Sequence, residues 1–89
     1  MKGQATTNWA KLDGYRYILK KDSKKGTYEI YILVDSIDDP EIADISTLIT
    51  SNDDNIYLEG LYLRFKDIQV IKMHHKTYVY LITTKSKER

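Results

Sequence analysis

The sequence predicts an α+β domain with a small antiparallel sheet of about five strands and one helix, in the order ββ-α-βββ. Most of the chain shows the alternation of apolar and polar side chains that is typical of strands. One short segment instead repeats its apolar side chains at helical spacing. The length of 89 residues fits a single domain, 1–89, with one modest core. A small all-β barrel is the alternative architecture.

The first predicted unit is a β-hairpin over residues 15–35. In its first strand, Tyr15, Tyr17 and Leu19 share one side. Residues 21–26 are polar and end in a glycine, which suits a hairpin connection. The second strand covers 27–35, and one of its faces carries Tyr28, Ile30, Ile32 and Val34. This alternation predicts that the hairpin contributes one face to the core.

A helix is predicted over residues 40–50. Asp39 is a suitable N-cap, and Pro40 suits the first helical position. The apolar side chains that follow form one stripe: Ile42, Ile45, Leu48 and Ile49. Residues 51–55 are polar and predict a turn after the helix.

The C-terminal part predicts three further strands. The first covers 56–65, and Gly60 within it indicates a bulge or a close approach of another backbone. A bend at 66–67 leads into a final hairpin formed by 68–73 and 77–84. Because the strand over 56–65 is apolar on both faces, it is either central in the sheet or part of a homodimer interface.

The ends of the chain predict little regular structure, and the composition limits the chemistry. Residues 1–13 are expected to form a loose N-terminal arm, and 85–89 a frayed tail. No Cys is present, which excludes a disulfide framework, a thiolate nucleophile and a cysteine zinc site. No apolar run is long enough for a membrane span or a secretory signal. We therefore expect a soluble, cytoplasmic protein that does not bind membranes.

Charge is distributed unevenly although the formal net charge is only +1. Residues 1–25 carry seven basic and two acidic side chains, and 64–89 carry seven and two again. Between 26 and 63 there is no Lys or Arg. The near-neutral total therefore conceals an acidic centre between two basic ends.

The acidic centre is the main functional clue. It consists of eight carboxylates in segment 35–59: Asp35, Asp38, Asp39, Glu41, Asp44, Asp53, Asp54 and Glu59. Charge of one sign on one face attracts a complementary surface. We therefore expect this segment to dock on a protein with a basic surface. The alternative is a solvated helix start and turn, whose Asp residues serve as caps.

The basic ends suggest a second function, the binding of single-stranded DNA or RNA on a sheet face. Aromatic and basic side chains alternate there, which suits base stacking and phosphate neutralisation. The candidate residues are Tyr15, Arg16, Tyr17, Lys20, Lys21, Arg64 and Lys66. A pI near 7.9 is lower than that of most nucleic-acid-binding domains, so a protein partner is favoured.

No catalytic, metal or cofactor site is predicted. His74 and His75 are expected in the turn of the last hairpin or at a rim, and even on a strand two neighbouring residues would point to opposite faces and could not easily bind one ion. The sequence places no third ligand near them. No serine lies in a nucleophile elbow, and the four glycines form no phosphate-binding loop. We therefore expect a non-enzyme without a cofactor.

The predicted function is a protein-binding module, in its sharpest form a small inhibitor. The chain contains eleven Lys, eleven Ile and eight Tyr but only three Ala. This bias is typical of AT-rich coding DNA, and it favours a phage or mobile-element origin. The expected partner is a basic, nucleic-acid-binding protein.

Overall fold

Six strands and one helix follow in the order βββ-α-βββ in the computed structural model, which describes residues 8–12 and 14–86. They are β1 (Ala10–Lys11), β2 (Tyr17–Asp22), β3 (Thr27–Val34), α1 (Glu41–Thr50), β4 (Asn55–Leu58), β5 (Leu61–Met73) and β6 (Lys76–Lys85). One sheet in the order β1-β4-β5-β6-β3-β2 bends into a half-barrel. The predicted α+β class is confirmed.

The strand count and the purely antiparallel sheet need correction. β1 is a sixth strand, and it pairs with β4 in parallel through Ala10 opposite Ile56 and Lys11 opposite Tyr57. Ala10 and Leu12 are fully buried, so this part of the expected arm contributes to the core. Two residues are too few for an alternation pattern to be visible in the sequence.

The structure describes the expected arm and the expected tail only in part. Residues 1–7 and 13 of the expected arm, and 87–89 of the expected tail, lie outside the described residues. Lys85 is the last residue of β6. The N–H of Ser86 donates to the carbonyl of Tyr62 at 2.8 Å, which ties this residue to β5.

The hairpin expected over 15–35 is confirmed as β2 and β3. Its loop is held by Asp22, whose Oδ1 accepts the N–H groups of Lys24 and Lys25 at 3.1 and 3.2 Å. Gly26 closes the loop with a φ of 68°, a conformation that costs glycine little. β3 alternates between buried and half-buried residues along its length, as predicted.

The strand expected over 56–65 is divided between β4 and the first part of β5, and β5 continues through the expected bend at 66–67 into the strand expected separately over 68–73. β4 and β5 are antiparallel neighbours joined at Glu59 and Gly60, with Leu58 opposite Leu61. Both loop residues have positive φ, 53° and 80°, as a two-residue hairpin turn requires. The predicted bulge or close approach at Gly60 is therefore a chain reversal. An irregularity in the β5–β6 pairing does occur, between Phe65 and Asp67.

β5 and β6 form the expected final hairpin, and β6 is its inner strand. β6 pairs with β3 on one side and with β5 on the other. Met73 lies opposite Lys76, so the hairpin tip consists of His74 and His75. Both histidines are exposed and have positive φ, 53° and 65°.

The helix lies where it was predicted, and it packs on the inner face of the half-barrel through Ile45 and Ile49. Within the described residues, no helix is both long and apolar enough to cross a membrane. One cluster forms the buried core: Ala10, Leu12, Tyr28, Ile30, Ile32, Val34, Ile45, Ile49, Ile56, Leu58, Leu63, Val79 and Leu81.

Candidate protein-docking surface

Five of the eight predicted carboxylates lie around the start of α1. We call them the helix-start acidic group: Asp35, Asp38, Asp39, Glu41 and Asp44. Asp39 organises the group, because its Oδ2 accepts the N–H of Asp35 at 2.8 Å and its Oδ1 accepts that of Glu41 at 2.9 Å. These bonds from Asp35 and then Glu41 lower the pKa of the Asp39 carboxyl below its ordinary value of 3.8.

Asp39 therefore acts as the predicted cap while Pro40, with a φ of −61° and a ψ of −19°, has helical dihedral angles. The other four carboxylates of the group are exposed. Where the structure describes the chain, it shows no ion pair between this group and a Lys or Arg side chain. The negative charge of the helix start is thus directed to solvent.

Tyr15 lies against the inner side of this group. It packs on the core, and burial is the main cause that raises the pKa of its hydroxyl. The charges of Glu41 and then Asp44 raise this pKa further. Glu41 and Asp44 are three residues apart in α1 and therefore lie on the same side of the helix.

The remaining three carboxylates lie elsewhere. Asp53 and Asp54 follow the C-terminal end of α1, about 15 Å from its start for a helix of ten residues. Both have positive φ, 56° and 65°, and the carbonyl of Asp54 accepts the N–H of Phe65 at 2.8 Å. Glu59 occupies the β4–β5 turn, where it accepts the hydroxyl of Tyr17 at 2.5 Å. The acidic segment 35–59 is thus divided among three places.

An apolar groove of about 490 Å³ lies beside the helix-start acidic group. Its residues come from the segment before α1, from α1 and from β5: Ile37, Asp38, Asp39, Pro40, Ile42, Ala43, Ser46, Ile68, Gln69 and Val70. Two large apolar side chains there are unusually exposed, Ile37 at 62% and Val70 at 42%. Charge on the rim and apolar surface in the groove are the two properties that a protein interface combines.

The residues proposed for nucleic-acid binding do not share one face. Tyr15 and Tyr17 pack against the core, whereas Arg16 and Lys20 alternate with them and are exposed. The ammonium group of Lys21 lies 5.7 Å from the ring centroid of the buried Tyr28.

The other two basic residues of that set are on β5. Arg64 donates to the Oδ1 of Asn55 at 3.4 Å, and Lys66 is at the pairing irregularity.

An aromatic cluster that the sequence did not predict lies on the outer face of the sheet. The ring centroid of Tyr31 is 6.2 Å from that of Tyr78 and 4.8 Å from that of Tyr80. The ammonium group of Lys20 lies 5.3 Å from the Tyr31 ring centroid. Burial, followed by hydrogen bonding to Glu29, raises the pKa of Tyr80 to about 12. Only the register between β3 and β6 brings these tyrosines together, although their alternation along each strand was visible.

Comparison of the chain with protein-family models, curated proteins and solved structures gave no match. Within the described residues, no three or more His, Cys, Asp or Glu side chains are grouped as a metal site would require. Two surfaces are candidates for a functional role: the helix-start acidic group with its groove, and the outer tyrosine cluster.

Proposed function

We propose that this chain is a non-enzymatic protein-binding module that docks on a basic surface through its helix-start acidic group. The observation that carries the proposal is the gathering of Asp35, Asp38, Asp39, Glu41 and Asp44 around one helix end beside an exposed apolar groove. Charge of one sign on one surface speeds encounter with a complementary partner, and adjacent apolar surface then holds the complex.

The partner chemistry follows from this surface. A protein that binds nucleic acid has a basic surface, and the helix-start acidic group would compete with phosphates for it. We therefore propose an inhibitor that acts in the cytoplasm, of phage or mobile-element origin. The cysteine-free sequence and the bias toward Lys, Ile and Tyr support this setting.

The test is a pair of variants that remove the same amount of charge from two places. The first combines Asp38→Asn, Glu41→Gln and Asp44→Asn, and it leaves Asp39 in place because that carboxyl holds the helix start. The matched control combines Asp53→Asn, Asp54→Asn and Glu59→Gln. Asn suits the positive φ of the two aspartates.

Binding is measured first by differential capture from host lysate and then by calorimetry with the purified captured protein. We expect the control to retain the partner and the first variant to lose at least about tenfold in affinity, because each close charge pair contributes a kcal/mol or more. If the first variant bound the partner as tightly as the unmodified chain does, the proposal would be contradicted. Equal loss in both variants would show that net charge, not this surface, drives binding.

A second candidate function is favoured by the outer tyrosine cluster. Tyr31, Tyr78 and Tyr80 with Lys20 have the composition of a base-stacking platform for single-stranded nucleic acid. Here the expected result is oligonucleotide binding that weakens steeply with salt and is lost in Tyr78→Ala. Absence of binding at about 50 mM salt would remove this candidate.

A further inference from the structure

The C-terminal half of β5 has one side open. β4 pairs with β5 only as far as Asn55 opposite Arg64, whereas β5 continues to Met73. From Asp67 onward, the strand pairing in the described residues is with β6 alone. This half of β5 is therefore a sheet edge, although β5 is an inner strand over its first four residues.

The hairpin tip determines which backbone groups the open edge presents. Across a two-residue loop the closing residues, here Met73 and Lys76, form a hydrogen-bonded pair. Because the pattern alternates along the strand, the N–H and C=O groups of Lys72, Val70 and Ile68 point away from β6. Three residues thus offer unpaired donors and acceptors along the groove.

The side chains beside this edge are suited to an apolar occupant. Ile68 and Val70 line the groove from β5, and Ile42 and Ala43 line it from α1. Asp38 and Asp39 stand at its rim. An occupant would therefore bury apolar side chains between α1 and β5 and place its basic side chains beside the two carboxylates.

We propose that an extended segment of the basic partner adds a strand to the open edge of β5 at residues 68–72. This inference rests on the proposed function and specifies how the partner is held. Alternate side chains of the segment face the helix side of the sheet, where the apolar ones enter the groove and a Lys or Arg at the end of the same set reaches Asp38 and Asp39. Main-chain hydrogen bonds supply affinity in such strand addition, and the alternate side chains supply specificity.

A second copy of this chain fits the edge less well. Antiparallel pairing of two β5 strands centred on Gln69 would place Lys66 of each copy opposite Lys72 of the other, and like charges in such pairs are destabilising. The same pairing would bring two helix-start acidic groups toward each other. Lysines near both ends of an open edge are a usual protection against self-association.

The test uses the whole chain and a peptide probe of sequence Lys-Thr-Val-Thr-Val-Thr-Lys with blocked ends, in which the Lys and Val side chains share one face. Two further versions carry backbone N-methyl groups, either on every Val or on every Thr. N-methylation removes a hydrogen-bond donor and keeps the charge. Only alternate amides of an added strand face its neighbour, so we expect one methylated peptide to lose at least about tenfold in affinity and the other to bind like the parent.

Amide chemical shifts locate the peptide. The largest changes are expected at Ile68, Val70 and Lys72, whose main-chain groups face the groove. If both methylated peptides bind like the parent, strand addition is wrong while charge-driven docking stands. If the parent peptide leaves these amides unchanged, the inference is overturned. It is also overturned if light scattering shows that the chain alone is a dimer and dilution to the monomer shifts the amides of Ile68, Val70 and Lys72. The pair of charge variants tests the proposed function separately.

A variant of β5 gives an independent measurement. Val70→Pro removes one outward N–H without breaking the pairing with β6, since proline is tolerated where the N–H faces solvent. Val70→Thr keeps both the donor and the side-chain shape. We expect Val70→Pro to weaken the parent peptide at least about tenfold relative to Val70→Thr. Equal affinities in two variants with the fold intact would contradict strand addition.

Discussion

Asp39 has both a structural and an electrostatic role. Its carboxylate accepts two backbone N–H groups at the start of α1, and these bonds lower its pKa below 3.8. A carboxyl whose pKa is lower in the folded than in the unfolded state adds stability above its unfolded pKa. That stability is lost as the pH falls through the folded value. Because of Asp39, the stability of the helix start therefore depends on pH in the acid range.

The first prediction is that Asp39→Ala lowers the midpoint of thermal unfolding at neutral pH by several degrees, because the cap is lost. Asp39→Asn keeps one acceptor for the N–H of Glu41, so its loss should be smaller, and its stability should depend less on pH below 3.8. Asp38→Ala is the control, since that side chain is exposed. Thermal unfolding followed by circular dichroism measures all three. An Asp39→Ala midpoint equal to that of the control would contradict the capping role.

At the scale of elements, the β5–β6 hairpin carries backbone strain at its tip. His74 and His75 both adopt positive φ, in the region where a side chain with a Cβ costs roughly 1–2 kcal/mol. Asn followed by Gly is the preferred pair for such a two-residue loop. The combined change His74→Asn and His75→Gly is therefore predicted to stabilise the fold by about 1 kcal/mol in urea unfolding.

The opposite change at another loop is the matched control. Gly26 closes the β2–β3 loop with a φ of 68° and has open space where a Cβ would stand. Gly26→Ala should therefore destabilise the fold by about 1 kcal/mol through backbone strain alone. If replacing the two histidines did not increase the free energy of unfolding, contacts of the imidazole rings would have to stabilise the tip.

Elements with a clear alternation or helical stripe could be predicted from the sequence, and elements defined by long-range pairing could not. β2, β3, β6 and α1 follow from local patterns. The β4–β5 turn was missed because Glu59 is not a usual residue for positive φ and both flanking segments are apolar. β1 was missed because its two residues gain stability only by parallel pairing with β4.

The candidate surfaces show the same limit. Asp35, Asp38, Asp39, Glu41 and Asp44 are near one another along the chain, so local reasoning could group them. The groove and the outer tyrosine cluster depend on register. Residue 70 meets the start of α1, and Tyr31 meets Tyr80, only after β3, β6 and β5 are aligned. Alternation along a strand predicts which face each side chain occupies, but it does not predict which strand lies beside it.

At the scale of the whole molecule, the shape limits the core. The principal extents are 51 × 32 × 19 Å. The shortest corresponds to one sheet and one helix layer, because packed layers are about 10 Å apart. The Tyr17 hydroxyl on β2 donates a hydrogen bond to Glu59 in the β4–β5 turn, 42 residues away. This hydrogen bond joins distant strands of the sheet and supports its bend. One thin layer of buried side chains therefore carries most of the hydrophobic stabilisation.

The last prediction follows from this thin core. Leu81 is fully buried and lies between Ile30 and Ile68 in the register, whereas Ile82, next to it on β6, faces the outer side between Glu29 and Asp67. Leu81→Ala should cost about 2–5 kcal/mol, a large share of the 5–15 kcal/mol typical of small domains.

Ile82→Ala is the control for this change, and it should cost less because its side chain is only half-buried. Urea unfolding of both variants measures the difference, with an unchanged slope showing that the same surface is exposed. Equal losses would mean that the outer face is covered as fully as the inner one. In that case the tyrosine cluster, not the layer between sheet and helix, would hold a second core.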